Sequence, residues 1–375
     1  MTKTEKLLHD LIALPSVNPA FLPAGDVRAG EQRMADFLAA VAAKAGLDVE
    51  LRKVLSGRPN LLAQLSPAGK VRHRVLLVPH LDTVNAEPAQ FNPRAKNGRL
   101  FGRGACDTKG SVAAMLTALG EIAQSKQRPR ETEIVFAGVV DEENAQAGSR
   151  ALAAGGLKAE LAIVGEPTRL QVVTAHKGSL WLRLETRGKS AHGARPELGR
   201  NAVHEMARIV DALETDYASS LRKRRNALLG AATVSVGTIC GGTQPNIVPD
   251  SCAATIDRRT LPGETEAGVR REIAAFLAQR QLKASFTSQK LAPCPPMETD
   301  PARPLVRRFL DSVGQRRPAG VDFFCDAAVL AGSGIPSVVF GPGDIAQAHT
   351  ANEWISLAAL DRGREMLRRF LISLP

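Results

Sequence analysis

Apolar residues recur along this chain with two different periods, and the period changes partway. The opening stretch, MTKTEKLLHDLIALPS, sets its leucines and isoleucine on one face of a helix. Residues 31–46 (EQRMADFLAAVAAKAG) repeat the helical period and stop at a glycine. Short apolar runs follow at 73–79 (HRVLLVP), 133–140 (EIVFAGVV), 161–164 (LAIV) and 336–340 (PSVVF), with a helical stretch at 111–124. Runs of this length suit strands covered on both faces. Helices alternating with such strands predict a largely parallel α/β sheet.

After about residue 177 the texture changes. SLWLRLETRG, 179–188, alternates apolar and polar, the pattern of a half-buried strand. A helix is expected near 200–215, strands near 231–239 and 252–258, a helix at 265–280 and a strand near 283–288. That order, β-α-β-β-α-β, is the ferredoxin-like motif. A chain of 375 residues exceeds what one core holds, which is roughly 250–300 residues. The reading is an α/β domain formed by 1–176 and 290–375, interrupted by a smaller two-layer domain at 177–289.

Composition narrows the function classes. Lysine plus arginine number 49 against 38 acids, a net charge of +11. The basic residues are scattered, apart from Arg222-Lys223-Arg224-Arg225, and no aromatics interleave with them. This argues against nucleic acid as a partner and suits an anionic substrate or simply a basic surface. Cys106, Cys240, Cys252, Cys294 and Cys325 form no CxxC pair, as in a reduced intracellular chain. The N-terminus has no signal-peptide pattern, and no apolar run approaches the ~20 residues that span a bilayer. A cytoplasmic protein without a membrane partner is expected.

Candidate chemistry gathers at the ends of the apolar runs. His80 and Asp82 follow the first, and alternation points both the same way, so that Asp82 can orient a metal-binding His80. Asp107 sits in Gly102-Arg103-Gly104-Ala105-Cys106-Asp107-Thr108-Lys109-Gly110, which is neither of the standard phosphate loops. Asp141, Glu142 and Glu143 follow the run 133–140, Glu166 follows LAIV, and His349 lies in GPGDIAQAHTANEW. Taken singly, the His80–Asp82 pair and the acids 141–143 read more readily as solvated turns. Together they form the nitrogen and oxygen ligand set of a hydrolytic zinc site beyond the carboxyl ends of strands. Five ligands exceed one tetrahedral ion and suit two ions ~3.5–4 Å apart that share a carboxylate.

These segments resemble the co-catalytic zinc family of acetylornithine deacetylase, succinyl-diaminopimelate desuccinylase and glutamate carboxypeptidase. The resemblance runs from the helix before Pro15-Ser16-Val17-Asn18-Pro19 to His349. It rests on HxDT, GRGxxDxKG, DEE, GEPT, GxxAHGAxPExGxNA, PNxVPD, IDxRTLPGE and GPGxxxxAHTxxE, in that order. It implies a zinc-peptidase-like catalytic domain with an inserted lid and dimerisation domain, two Zn2+ (Co2+ or Mn2+ accept the same ligands) and a homodimer. His80 and Glu166 would hold one ion, Glu143 and His349 the other, and Asp107 would bridge them. Asp82 would buttress His80, and Glu142 would be the general base. His192, reaching a neighbouring subunit's site, would stabilise the oxyanion. Asn246 and Arg259 would hold the substrate carboxylate, with backbone groups at Gly343 beside it.

The implied reaction is cleavage of the amide bond of an N-acyl amino acid. GEPT, AHKG and the last motif look most like acetylornithine deacetylase. The desuccinylase, then a metallo-carboxypeptidase or dipeptidase, are the alternatives. Pro79, Asn85 and the turn 144–148 depart from the family pattern without removing a ligand, and they bear on substrate preference and loop shape. Lys177 is read as a hinge-side surface lysine.

Overall fold

The four apolar runs all become strands of one sheet, in a computed structural model that describes residues 1–125 and 127–375. Thr132–Gly138, His73–Pro79, Leu161–Gly165 and Ser337–Val339 pair in that order, every pair parallel. Nearly all their residues are buried, which is why they read as continuous apolar runs. The parallel order puts the carboxyl ends of His73–Pro79, Thr132–Gly138 and Leu161–Gly165 on one edge. His80, the acids 141–143 and Glu166 therefore leave the sheet side by side.

The expected largely parallel sheet is corrected at its flank. Asp48–Leu55 and Arg58–Leu65 form a hairpin that continues the sheet antiparallel to Thr132–Gly138. Only Ser56 and Gly57 join the two strands, and so short a link permits no other geometry. The outer strand carries charges along an exposed edge, and a register shift after Lys53 interrupts its alternation.

Helices cover the sheet, among them those that apolar periodicity predicts at the opening stretch, 31–46 and 111–124. Lys3–Ile12 is closed by a capping box between Thr2 and Glu5, and it packs with Leu357–Ile372 against Lys109–Ala123. The last of these is buried almost all round and starts two residues earlier than expected. Phe309 lies 5.0 Å from Phe340 and 4.7 Å from Phe370, ring centre to ring centre, within this core.

The chain divides into two compact units: Met1–Thr174, Thr299–Ala319 and Cys325–Pro375, and Ala175–Glu298 with Gly320–Phe324. The second boundary therefore falls later than residue 290. Met297–Glu298 pairs with Ala175 and His176, which keeps the intervening residues with the second unit. In that unit Thr233–Gly241, Ser251–Thr260, Gly178–Arg187 and Ser285–Ser288 form an antiparallel sheet in that order. Ala202–Ala212 and Glu266–Ala278 share its core through Met206, Ile209, Ile273 and Leu277. This is the ferredoxin-like β-α-β-β-α-β arrangement, inserted in an α/β unit. Lys177 corrects another expectation: it is buried, with its Nζ 2.7 Å from Asp322. No described helix is long and apolar enough to cross a membrane.

Candidate metal centre

Asp107 presents one carboxylate oxygen to each of two imidazoles. Its Oδ1 lies 3.1 Å from His80 Nε2, and its Oδ2 lies 3.4 Å from His349 Nε2. Glu143 Oε2 stands 3.1 Å from the same His349 nitrogen, and Glu166 Oε1 stands 3.9 Å from His80 Nε2. His80, Asp107 and Glu143 each offer a donor atom, and these atoms lie within 4.8 Å of one another. The structure thus brings His80, Asp107, Glu143, Glu166 and His349 together.

Strand ends supply His80, Glu143 and Glu166. Asp107 comes from the turn before Lys109–Ala123, where Thr108 Oγ1 donates to the Gly165 carbonyl at 2.6 Å and ties that turn to the residue before Glu166. Buried Lys109 anchors the same turn from the other side, its Nζ donating to the carbonyls of Leu11 and Leu14. Gly343, at φ +101°, packs so closely on Cys106 that a Cβ would sit 2.6 Å from its sulfur, and its carbonyl accepts the Arg169 N–H. Packing accounts for that glycine without a ligand.

The charges in the cluster do not balance. Burial pushes the carboxyls of Glu142, Glu143 and Glu166 above the usual range, and neighbouring acids add to the effect. Burial opposes ionisation of His80, but Asp107, Asp82 and Glu166 outweigh it and raise the imidazole well above its ordinary value. Asp107 and Glu143 raise His349 to about 10. Burial alone would raise Asp107; the two imidazoles reverse this and hold it below the carboxylate range. The Oε1 atom of Glu143 is buried with no hydrogen-bond partner among the described residues. Nitrogen and carboxylate donors with excess negative charge and an unsatisfied oxygen fit divalent cations.

Asp82 braces this centre differently from the expectation. Its backbone carbonyl, 3.0 Å from His80 Nδ1, is the nearer contact, while its carboxylate Oδ1 stands 3.5 Å away. The carboxylate instead accepts from Asn18 Nδ2 at 2.8 Å and from the backbone N–H groups of Glu142 and Glu143. Asn18 also donates to Asp141, which pairs with Arg58, which in turn forks onto buried Glu31 at 2.6 and 2.7 Å. Among the described residues, none hydrogen-bonds the Glu142 carboxylate. Residue spacing carries no sign of Glu31, Arg58 or Asp326. Asp326 is buried, accepts from Ser149, and is raised to about 7, mainly by burial. The one available signal was an acid within the apolar run FFCDAAVL.

The remaining candidates belong to the second unit. His192 is exposed, and its Nδ1 accepts the Ala194 N–H at 3.1 Å. A backbone N–H only donates, so the neutral ring carries its proton on Nε2. Gly193 N–H donates to the Asn246 carbonyl at 2.7 Å, joining the segments of His192 and Asn246. Arg259 is partly exposed and pairs with Asp257 at 2.9 Å, whereas Arg258 is fully buried against Glu264 at 2.6 Å. Strand alternation predicts that division.

An α/β unit with carboxylates and imidazoles at its strand ends, interrupted by a ferredoxin-like unit, presents the donor set of a metal-dependent hydrolase. The chain belongs to peptidase family M20/M25/M40, whose model matches residues 76–373. It is 32% identical to an acetylornithine deacetylase of Myxococcus xanthus over 89% of this chain and 90% of that one. It is 30% identical to an acetylornithine deacetylase of Proteus mirabilis, over 98% and 95% of the two chains. An M20 family metallo-carboxypeptidase from Sulfolobus solfataricus shares the fold, with a TM-score of 0.78 at 20% identity, covering 99% of each chain.

Proposed function

We propose that the protein is a di-zinc amidohydrolase that removes the acyl group from an N-acyl amino acid, with N-acetylornithine as its substrate. One observation carries the metal reading: Asp107 turns its two oxygens towards two imidazoles, each with a further carboxylate beside it. His80 and Glu166 would hold one cation, Glu143 and His349 the other, with Asp107 common to both. When bound, zinc supplies Lewis acidity and brings the pKa of a water from ~15.7 towards ~7.

The chain's own residues then divide the work. Glu142, with its carboxylate unengaged, takes the proton from the attacking water and returns it to the amine as the C–N bond breaks. Burial raises its affinity for protons, which strengthens it as a proton acceptor. His192 donates from Nε2 to the oxygen that becomes negative in the transition state, from a second copy of the chain. Asn246 and Arg259 bind the substrate carboxylate, Arg259 by its planar fork.

The substrate reading rests on the two deacetylase relatives and is tested by amine release from N-acetylornithine and N-succinyl-diaminopimelate, side by side. Rapid release from the first, lost on chelation and restored by zinc, is expected. Preference for the second would move the chain to desuccinylation. Release from neither, but from dipeptides, would make it a peptidase.

A further inference from the structure

Glu353 closes the last motif of the chain, and the reaction as described gives it no task. The strand Trp354–Ser356 pairs antiparallel with Arg99–Phe101, setting Trp354 opposite Phe101. That register carries Glu353 over the turn leading to Asp107, and its backbone carbonyl accepts the Gly102 N–H at 3.0 Å. The side chain turns into the turn and is 1% exposed. Its Oε2 accepts from Arg103 Nη1 at 2.7 Å and from Gly104 N–H at 2.9 Å. Its Oε1 accepts from Cys106 N–H at 2.8 Å and from Asp107 N–H at 3.0 Å.

Both oxygens are therefore used, and the last donor is the backbone of Asp107 itself. Gly104, at φ +80°, is what lets the turn wrap around a carboxylate; a Cβ there would lie 2.9 Å from the Lys109 side chain. The same segment carries His349, and Arg103 Nη2 also donates to the Thr350 carbonyl at 3.3 Å. One short stretch of chain thus supplies an imidazole and fixes the carboxylate facing it.

We propose, resting on the metal reading above, that Glu353 is a positioning residue that sets the affinity of the centre for zinc by holding Asp107 between His80 and His349. Charged acceptors of backbone N–H groups make the stronger hydrogen bonds, and removing such a brace leaves buried donors unsatisfied. Residues that orient ligands from behind are worth about 10–100-fold in metal affinity.

The test is calorimetric titration of metal-free protein with zinc chloride. Glu353→Gln is the milder variant, because its amide oxygen still accepts two N–H groups while its NH2 meets the other donors. It is expected to bind zinc about 10–100-fold more weakly than wild type. At saturating zinc, its KM for N-acetylornithine should stay near wild type. Glu353→Ala leaves a carboxylate-sized gap, so added formate should recover part of its zinc affinity. Phe309→Leu, in the aromatic core, is the comparison for stability: it should lower Tm and leave zinc affinity unchanged. Wild-type affinity in Glu353→Gln, or an equal loss in Phe309→Leu, would overturn the proposal. If wild-type protein itself binds no zinc, the metal reading fails and this inference falls with it.

Discussion

The buried carboxylate of Asp82 accepts the backbone N–H of Glu143 at 3.2 Å. It accepts that of Glu142 too, at 3.1 Å, and its own carbonyl stands 3.0 Å from His80 Nδ1. One residue therefore aims the proposed base and two proposed ligands. Asp82→Asn keeps the shape but turns an amide NH2 towards N–H donors. It should cost about 10–100-fold in zinc affinity and a comparable factor in kcat. Zinc titration with kcat measured at saturating metal checks this; unchanged values would leave Asp82 a purely structural acid.

Glu142→Ala separates binding from chemistry. The residue is not needed to hold a cation in this account, so the variant should retain its zinc content while kcat falls by about 10^2–10^4-fold. Elemental analysis alongside turnover decides it. Near wild-type turnover would assign the base elsewhere.

His192→Ala removes the Nε2–H donor that the Ala194 N–H fixes. An oxyanion donor acts mainly in the transition state, so kcat should fall by about 10^2–10^3-fold while KM changes little. A raised KM with unchanged kcat would make His192 a substrate-binding residue instead.

The pH dependence has a definite sign. His349 is raised from 6.5 to about 10, so in metal-free protein its contribution is fully present below pH 6.5 and is lost as the pH climbs towards 10. Glu143 and Glu166, raised by burial, also favour the protonated fold and act in the same direction. Zinc binding needs these groups deprotonated, so its affinity rises over the same window. The gain in Tm on adding zinc should therefore grow from pH 6.5 to pH 9. A gain that shrinks would contradict the assignment of these residues as ligands.

Much of this was legible in the sequence because the sheet is buried on both faces. Continuous apolar runs marked the strands, and the residues just beyond them were the acids and histidines that gather around Asp107. The features that do not show in the sequence share a cause. Arg103 and Glu353, or Asn18 and Asp141, meet only after the chain has folded, and spacing along the chain carries no trace of such pairs. Buried Lys109 and Lys177 were hidden for the same reason, since a lysine reads as surface until its partner is known. The outer hairpin is hard to read because its edge strand is mostly exposed and its alternation breaks after Lys53.

The central claim is that Asp107 is shared by two cations. Zinc titration of metal-free wild-type protein and of Asp107→Ala tests it most directly. Two tight equivalents per chain in the wild type, and loss of tight binding at both in the variant, are predicted. A wild type that binds no zinc tightly, or a variant with unchanged stoichiometry and affinity, would contradict it.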